Sequence, residues 1–111
     1  MKRVIDGKLY NTETATKIGS YWNGLSTSDF RRVSEELYRT KSGNYFLAGT
    51  GGPLTPYAES NGESSWGSSR IIPLSKEEAF EWVQQHLRLQ RELRLSTDEV
   101  LKEFPDMIEE A

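Results

Sequence analysis

Ser75-Lys76-Glu77-Glu78 divides this chain into two differently patterned parts. A serine followed three residues later by glutamate is a reciprocal cap. The hydroxyl accepts from the third helical amide, and the carboxylate accepts from the serine's own amide. A helix therefore starts just after Ser75. Apolar residues then recur at Ala79, Phe80, Trp82, Val83, Leu87, Leu89 and Leu93, close to the 3.6-residue period of one helical face. Glu77 and Glu78 sit at the positive end of its dipole, and Arg88, Arg91 and Arg94 near the negative end. Ser96-Thr97-Asp98-Glu99 repeats the cap. It opens a short helix through Val100, Leu101 and Phe104, interrupted by Pro105.

Before Ser75 the signals are those of strands and turns. Asp6-Gly7, between Val4-Ile5 and Lys8-Leu9-Tyr10, predicts a tight hairpin, because a type I′ turn needs positive φ at both central positions. Thr14 to Trp22 reads as a further strand or a short helix, closed by Asn23-Gly24. Arg32 to Thr40 alternates, with Val33, Glu35 and Leu37 on one face and Ser34, Glu36 and Tyr38 on the other. Lys41-Ser42-Gly43-Asn44 turns the chain into Tyr45-Phe46-Leu47-Ala48, making a second hairpin. Gly49-Thr50-Gly51-Gly52-Pro53 is expected to break that strand. Residues 54–69 form a long polar connection containing Tyr57 and Trp66, and Ser69 to Leu74 a last short strand with Pro73 at its end or edge.

Strands first and helices last predict an α+β fold. The expectation is a twisted antiparallel sheet of hairpins packed by one long helix, with a short C-terminal helix. Residues 1–95 are the sheet and long helix in one domain, and 96–111 a short helical tail. At 111 residues a single core is feasible. No apolar run approaches the ~20 residues of a membrane helix, and the start is not that of a signal peptide. The absence of cysteine removes disulfides and thiolate metal sites. A bacterial cytoplasm is the simplest setting.

The charge is uneven. Residues 1–56 carry eight basic and five acidic side chains, and residues 57–111 carry six and twelve. Such asymmetry points to a charged partner or to ordinary surface variation.

Catalytic signals are sparse. His86 is the sole histidine and has no companion ligand at metal spacing, so a surface or boundary position is expected and no cofactor is implied. Gly49-x-Gly-Gly is followed by Pro53-Leu54-Thr55-Pro56, where no helix N-terminus can form to hold a phosphate. Glu35 shares a face with Val33 and Leu37. Half-buried near Arg31, Arg32 or Arg39, it would act as an acid or base, or else make a sheet-edge ion pair. Seven of the twelve aromatics precede residue 47, interleaved with lysines and arginines. Aromatics stack unpaired bases and cations neutralise phosphates, as single-stranded RNA binding requires. Alternatively, Trp22, Phe30 and Phe46 form the core under the helix.

A family resemblance sharpens this. Gly7-Lys8-Leu9-Tyr10-Asn11-Thr12-Glu13-Thr14-Ala15, Tyr21-Trp22-Asn23-Gly24, Ser28-Asp29-Phe30, Glu36-Leu37-Tyr38-Arg39-Thr40-Lys41, Gly43-Asn44-Tyr45-Phe46-Leu47, Gly51-Gly52-Pro53, Tyr57-Ala58, Ile71-Ile72-Pro73-Leu74 and Glu77-Glu78-Ala79-Phe80-Glu81-Trp82 resemble a family of small proteins. These occur on Firmicutes plasmids, conjugative elements and phages, and include type II-A anti-CRISPR inhibitors. The likeness spans about residues 4–87. It implies a protein that disables the type II RNA-guided DNA nuclease by binding the nuclease, its guide RNA, or both, blocking guide loading. Guide RNA truncation, by a ribonuclease or a nuclease-activating factor, and a mobile-element role unrelated to CRISPR are the alternatives. On this reading Lys2, Arg3, Lys8, Arg31, Arg32 and Arg39 meet phosphates, while Tyr10, Tyr38 and Tyr45 stack. Glu99, Glu103, Asp106, Glu109 and Glu110 form a solvated acidic segment or a phosphate mimic.

Overall fold

The computed structural model describes residues 1–88 and 92–111. The hairpin at the start forms as expected: β1 (Lys2–Ile5) pairs with β2 (Lys8–Asn11), with Val4 opposite Leu9. Asp6 and Gly7 between them have φ of 50° and 76°, the positive pair that a type I′ turn demands. Next come β3 (Thr16–Trp22), β4 (Val33–Arg39) and β5 (Tyr45–Gly51). A small hairpin, β6 (Glu59–Ser60) and β7 (Ser65–Trp66), interrupts the long connection before β8 (Ser68–Leu74). The remaining elements are α1 (Lys76–Arg88), β9 (Glu92–Arg94), α2 (Thr97–Glu103) and a 3₁₀ turn over Pro105–Met107.

The main sheet has the order β8-β5-β4-β3-β9, and every pairing is antiparallel. The fold is α+β, with hairpins on a twisted sheet and helices on one face. Both caps read from the sequence are present. Ser75 Oγ accepts from the Glu78 amide at 3.0 Å while Glu78 Oε1 accepts from the Ser75 amide at 2.8 Å, and Ser96 with Glu99 repeats the arrangement.

Two expectations are corrected. Glu92–Arg94 is a strand antiparallel to β3, not the end of the long helix. Leu89, placed on that helix by periodicity, and Arg91, placed near its end by the dipole, lie outside the described residues. β5 also runs on through Gly49-Thr50-Gly51 instead of breaking. The ring of Tyr57 lies where a side chain at 49 would project, so a Cβ on Gly49 would overlap its hydroxyl, and a Cβ on Gly51 would meet Thr55 Oγ1. These glycines admit a close neighbour and do not end the strand.

Each sheet face carries its own core. Under α1 and α2 lie Tyr21, Leu37, Tyr45, Leu47, Trp82, Val83 and Phe104. Residues 96–111 contribute Val100 and Phe104 to this core: Phe104 is fully buried, with its ring 5.7 Å from that of Tyr45. On the opposite face, Tyr38, Phe46, Ala48 and Ile71 are covered by the β1–β2 hairpin through Tyr10 and Ile5. Tyr10 meets Phe46 edge-on at 5.4 Å. No helix among the described residues is long and apolar enough to cross a membrane, which leaves β-barrel spans unaddressed.

Candidate nucleic-acid interface

The N-terminal hairpin covers only part of its sheet face. Strand alternation places Ser20, Trp22, Ser34, Glu36, Thr50 and Ser69 on the remainder. Trp22 is 38% exposed, and Phe30, on the loop entering β4, is 63% exposed.

One carbonyl organises this region. Leu25 O accepts from Trp22 Nε1 at 2.7 Å and from Arg32 Nε at 3.3 Å. The Asn23-Gly24 turn brings that carbonyl back over the strand end, with Gly24 at φ 84°. The Arg32 guanidinium thereby lies over the indole, 5.9 Å from the ring centroid. Arg31 beside it is exposed. Among the described residues no carboxylate lies within ion-pair distance of Arg31 or Arg32. Lys17 and Glu36 pair on the same face at 2.6 Å, which raises the Lys17 pKa through the direct hydrogen bond. Arg32 is a shared wall between two hollows. One, of about 270 Å³, lies over Lys17, Ser20, Trp22, Ser34 and Glu36. The other, of about 480 Å³, is framed by Phe30 and the Gly51–Pro53 and Gly67–Ser69 segments.

The nine residues assigned to binding from sequence do not form one surface. Lys2, Arg3 and Lys8 are exposed on the hairpin, and Arg31 and Arg32 border the open face. The hairpin sits over Tyr38, six residues along β4 from Arg32, or about 20 Å. Arg39 lies on the helix-covered face, where Glu103 binds its guanidinium through both oxygens and raises its pKa. The three tyrosines expected to stack bases are buried: Tyr10 is 6% exposed, Tyr38 7% and Tyr45 5%. Tyr10 and Tyr38 both pack on Phe46, while Tyr45 donates to Glu103 at 2.7 Å. Burial first, then the Glu103 contact, pushes the Tyr45 pKa up to about 12.

The alternative aromatic assignment is also revised. Trp22 and Phe30 are exposed, and Phe46 is buried under the hairpin, not the helix. Among the acidic residues, Glu99 caps α2, Glu103 holds Arg39 and Tyr45, and Asp106 pairs with Lys76 at 2.8 Å. Those three have intramolecular partners.

Glu35 faces the helices with Leu37, as alternation requires, but none of Arg31, Arg32 and Arg39 meets it. Tyr57 Oη donates to Oε2, Trp82 Nε1 donates to Oε1 at 3.0 Å, and His86 Nε2 stands 3.8 Å from Oε1. Burial would push this carboxyl up. His86, Tyr57 and Trp82 outweigh it and hold Glu35 below its ordinary value. His86 is itself buried, correcting the surface or boundary position expected of it. Its ring stacks on Tyr21 at 3.9 Å and meets Trp82 edge-on at 4.8 Å. The Glu35 side chain is only 16% exposed and is committed to these partners, so the geometry is that of an internal clamp.

Trp22 and Phe30 are exposed aromatics that sequence pattern alone places in the core. Trp22 closes β3 just before the Asn23-Gly24 turn and Phe30 lies on the loop entering β4, and both are distinguished by that position, because strand ends escape both packing layers. No family model, curated protein or solved structure matches the chain.

Proposed function

We propose that this chain is an anti-CRISPR protein of a mobile genetic element, acting in the bacterial cytoplasm. It binds the type II RNA-guided nuclease, its guide RNA, or both, and blocks guide loading. The reading joins the family resemblance to one structural observation: Arg32 held over Trp22 on an uncovered sheet face, beside exposed Phe30 and Arg31. Such a face offers stacking surfaces and charge to unpaired nucleotides without requiring a particular sequence. Fixing Trp22 and Arg32 through one carbonyl lowers the ordering cost of binding. The basic hairpin, with Lys2, Arg3 and Lys8, supplies a second contact about 20 Å away.

The test is guide loading into the purified nuclease, with RNA integrity followed on a denaturing gel. Wild-type protein should leave guide RNA intact and unassembled. Arg31→Glu/Arg32→Glu should restore assembly and flatten the salt dependence of inhibition. Full nuclease activity with excess wild-type protein would sink the reading, and a new shorter RNA band would replace occlusion with processing. Assembly blocked equally well by the double variant would move the contact off this face.

A further inference from the structure

The larger hollow has the chemistry of a nucleotide subsite. Its volume of about 480 Å³ falls within the ~300–1,000 Å³ of small-molecule sites. Its walls are tied together by backbone contacts. Gly52 N–H donates to Arg32 O at 3.0 Å, and Leu54 N–H donates to Phe30 O at 2.9 Å. Ser65 Oγ donates to Pro53 O at 3.0 Å. Gly52 and Gly67 let these walls close up: a Cβ on Gly52 would lie 2.5 Å from Phe30 O, and one on Gly67 2.6 Å from Gly51 O. The part of the lining from residues 50–52 and 67–69 is therefore backbone and small hydroxyls. Thr50 Oγ1 and Ser69 Oγ share a hydrogen bond at 2.8 Å on one side.

Three groups give the hollow polarity from end to end. Phe30 presents an exposed ring at the rim, and Arg32 carries charge at the end facing Trp22. Asp29 lines the hollow with one oxygen bound to the Arg31 amide at 2.8 Å. Its other oxygen has no partner among the described residues. A carboxylate repels phosphate but accepts from the N–H groups on a base edge.

We infer that this hollow takes one unpaired nucleotide of single-stranded RNA. The base stacks on Phe30 with an N–H edge toward Asp29, and its phosphate lies on the Arg32 side. This inference rests on the proposed RNA contact and deepens it. The occupant is a nucleotide because apolar face, cationic end and hydrogen-bond acceptor occur together in one hollow. An apolar protein side chain would use the first alone.

The experiment is fluorescence anisotropy of the full chain with a short labelled single-stranded RNA, and with an otherwise identical abasic strand. Phe30→Ala should weaken binding of the base-bearing RNA about tenfold, one stacked base's worth, while leaving its salt dependence unchanged. Phe30→Tyr should restore it. Wild type should bind the abasic strand at least as weakly as Phe30→Ala binds the normal one. If wild type binds RNA and Phe30→Ala binds equally well, the subsite is wrong and the RNA reading stands. If wild type binds no RNA, both fall. If Phe30→Ala instead weakens association with RNA-free nuclease and spares RNA, the hollow receives protein.

Discussion

Tyr57, in the middle of the connection between β5 and β8, donates its hydroxyl to Glu35 on the central strand. Trp82 of α1 donates to the other oxygen of the same carboxylate. One side chain thus fastens both the long connection and the helix to the sheet. Glu35→Ala would leave two donors without an acceptor, and each such buried group costs about 1–3 kcal/mol. The variant should lose about 3 kcal/mol of unfolding free energy in urea, with Glu35→Gln losing less because its amide oxygen still accepts. Unchanged stability of Glu35→Ala would show that the clamp carries no weight.

The same cluster sets a pH response. Glu35 has its folded pKa lowered from 4.5, so the stability it contributes is present above that value. It is lost as pH falls through the folded value. Tyr45 runs the other way. Raised from 10.0 to about 12, it contributes stability below pH 10 that disappears as pH climbs toward 12. Urea midpoints measured across pH should decline at both ends. Glu35→Gln should flatten the acid limb and Tyr45→Phe the alkaline one. An acid limb of wild-type steepness in Glu35→Gln would assign it to other carboxylates.

Gly49→Ala should destabilise by about 1–3 kcal/mol, the usual cost of forcing atoms into a packed site. The new methyl meets the Tyr57 ring, so Tyr57 must move and surrender Glu35. Limited proteolysis should then cut within residues 54–67 sooner than in wild type. Gly43→Ala is the control. Open space surrounds it, and its φ of 88° alone carries a penalty of about 1 kcal/mol, with no new cleavage. Equal protease resistance in wild type and Gly49→Ala would show that Tyr57 repacks without loosening the connection.

Local signals proved readable because local chemistry enforces them. Asp6-Gly7 makes its turn whatever surrounds it, and Ser75 with Glu78 closes its cap from within. The alternation of β4 correctly put Glu35 beside Leu37. It could not reveal that Tyr57, 22 residues away, and Trp82, 47 residues away, would converge on that carboxylate. The candidate surface was harder still. Whether Tyr38 or Trp22 is open depends on where the hairpin settles on the sheet, a tertiary fact that strand alternation leaves undetermined. Leu93 fits the helical period, yet Glu92–Arg94 pairs with β3, because the exposed edge of that strand offers hydrogen bonds.

The hairpin separates folding from binding most cleanly. Its inner face is anchored by Tyr10, while Val4 and Leu9, paired across the outer face, are exposed beside Lys2. Val4→Ser/Leu9→Ser removes little buried area, so the urea midpoint should shift by no more than ~0.5 kcal/mol equivalent. If the nuclease or its guide complex rests on this ribbon, the same double variant should weaken inhibition several-fold. Tyr10→Ala should instead empty the core beneath the hairpin and cost about 3–4 kcal/mol, with inhibition falling in step with stability. Parallel urea and guide-loading measurements separate the two effects. Wild-type inhibition by Val4→Ser/Leu9→Ser would confine the hairpin to covering Phe46 and leave the Trp22–Arg32 face as the sole proposed contact.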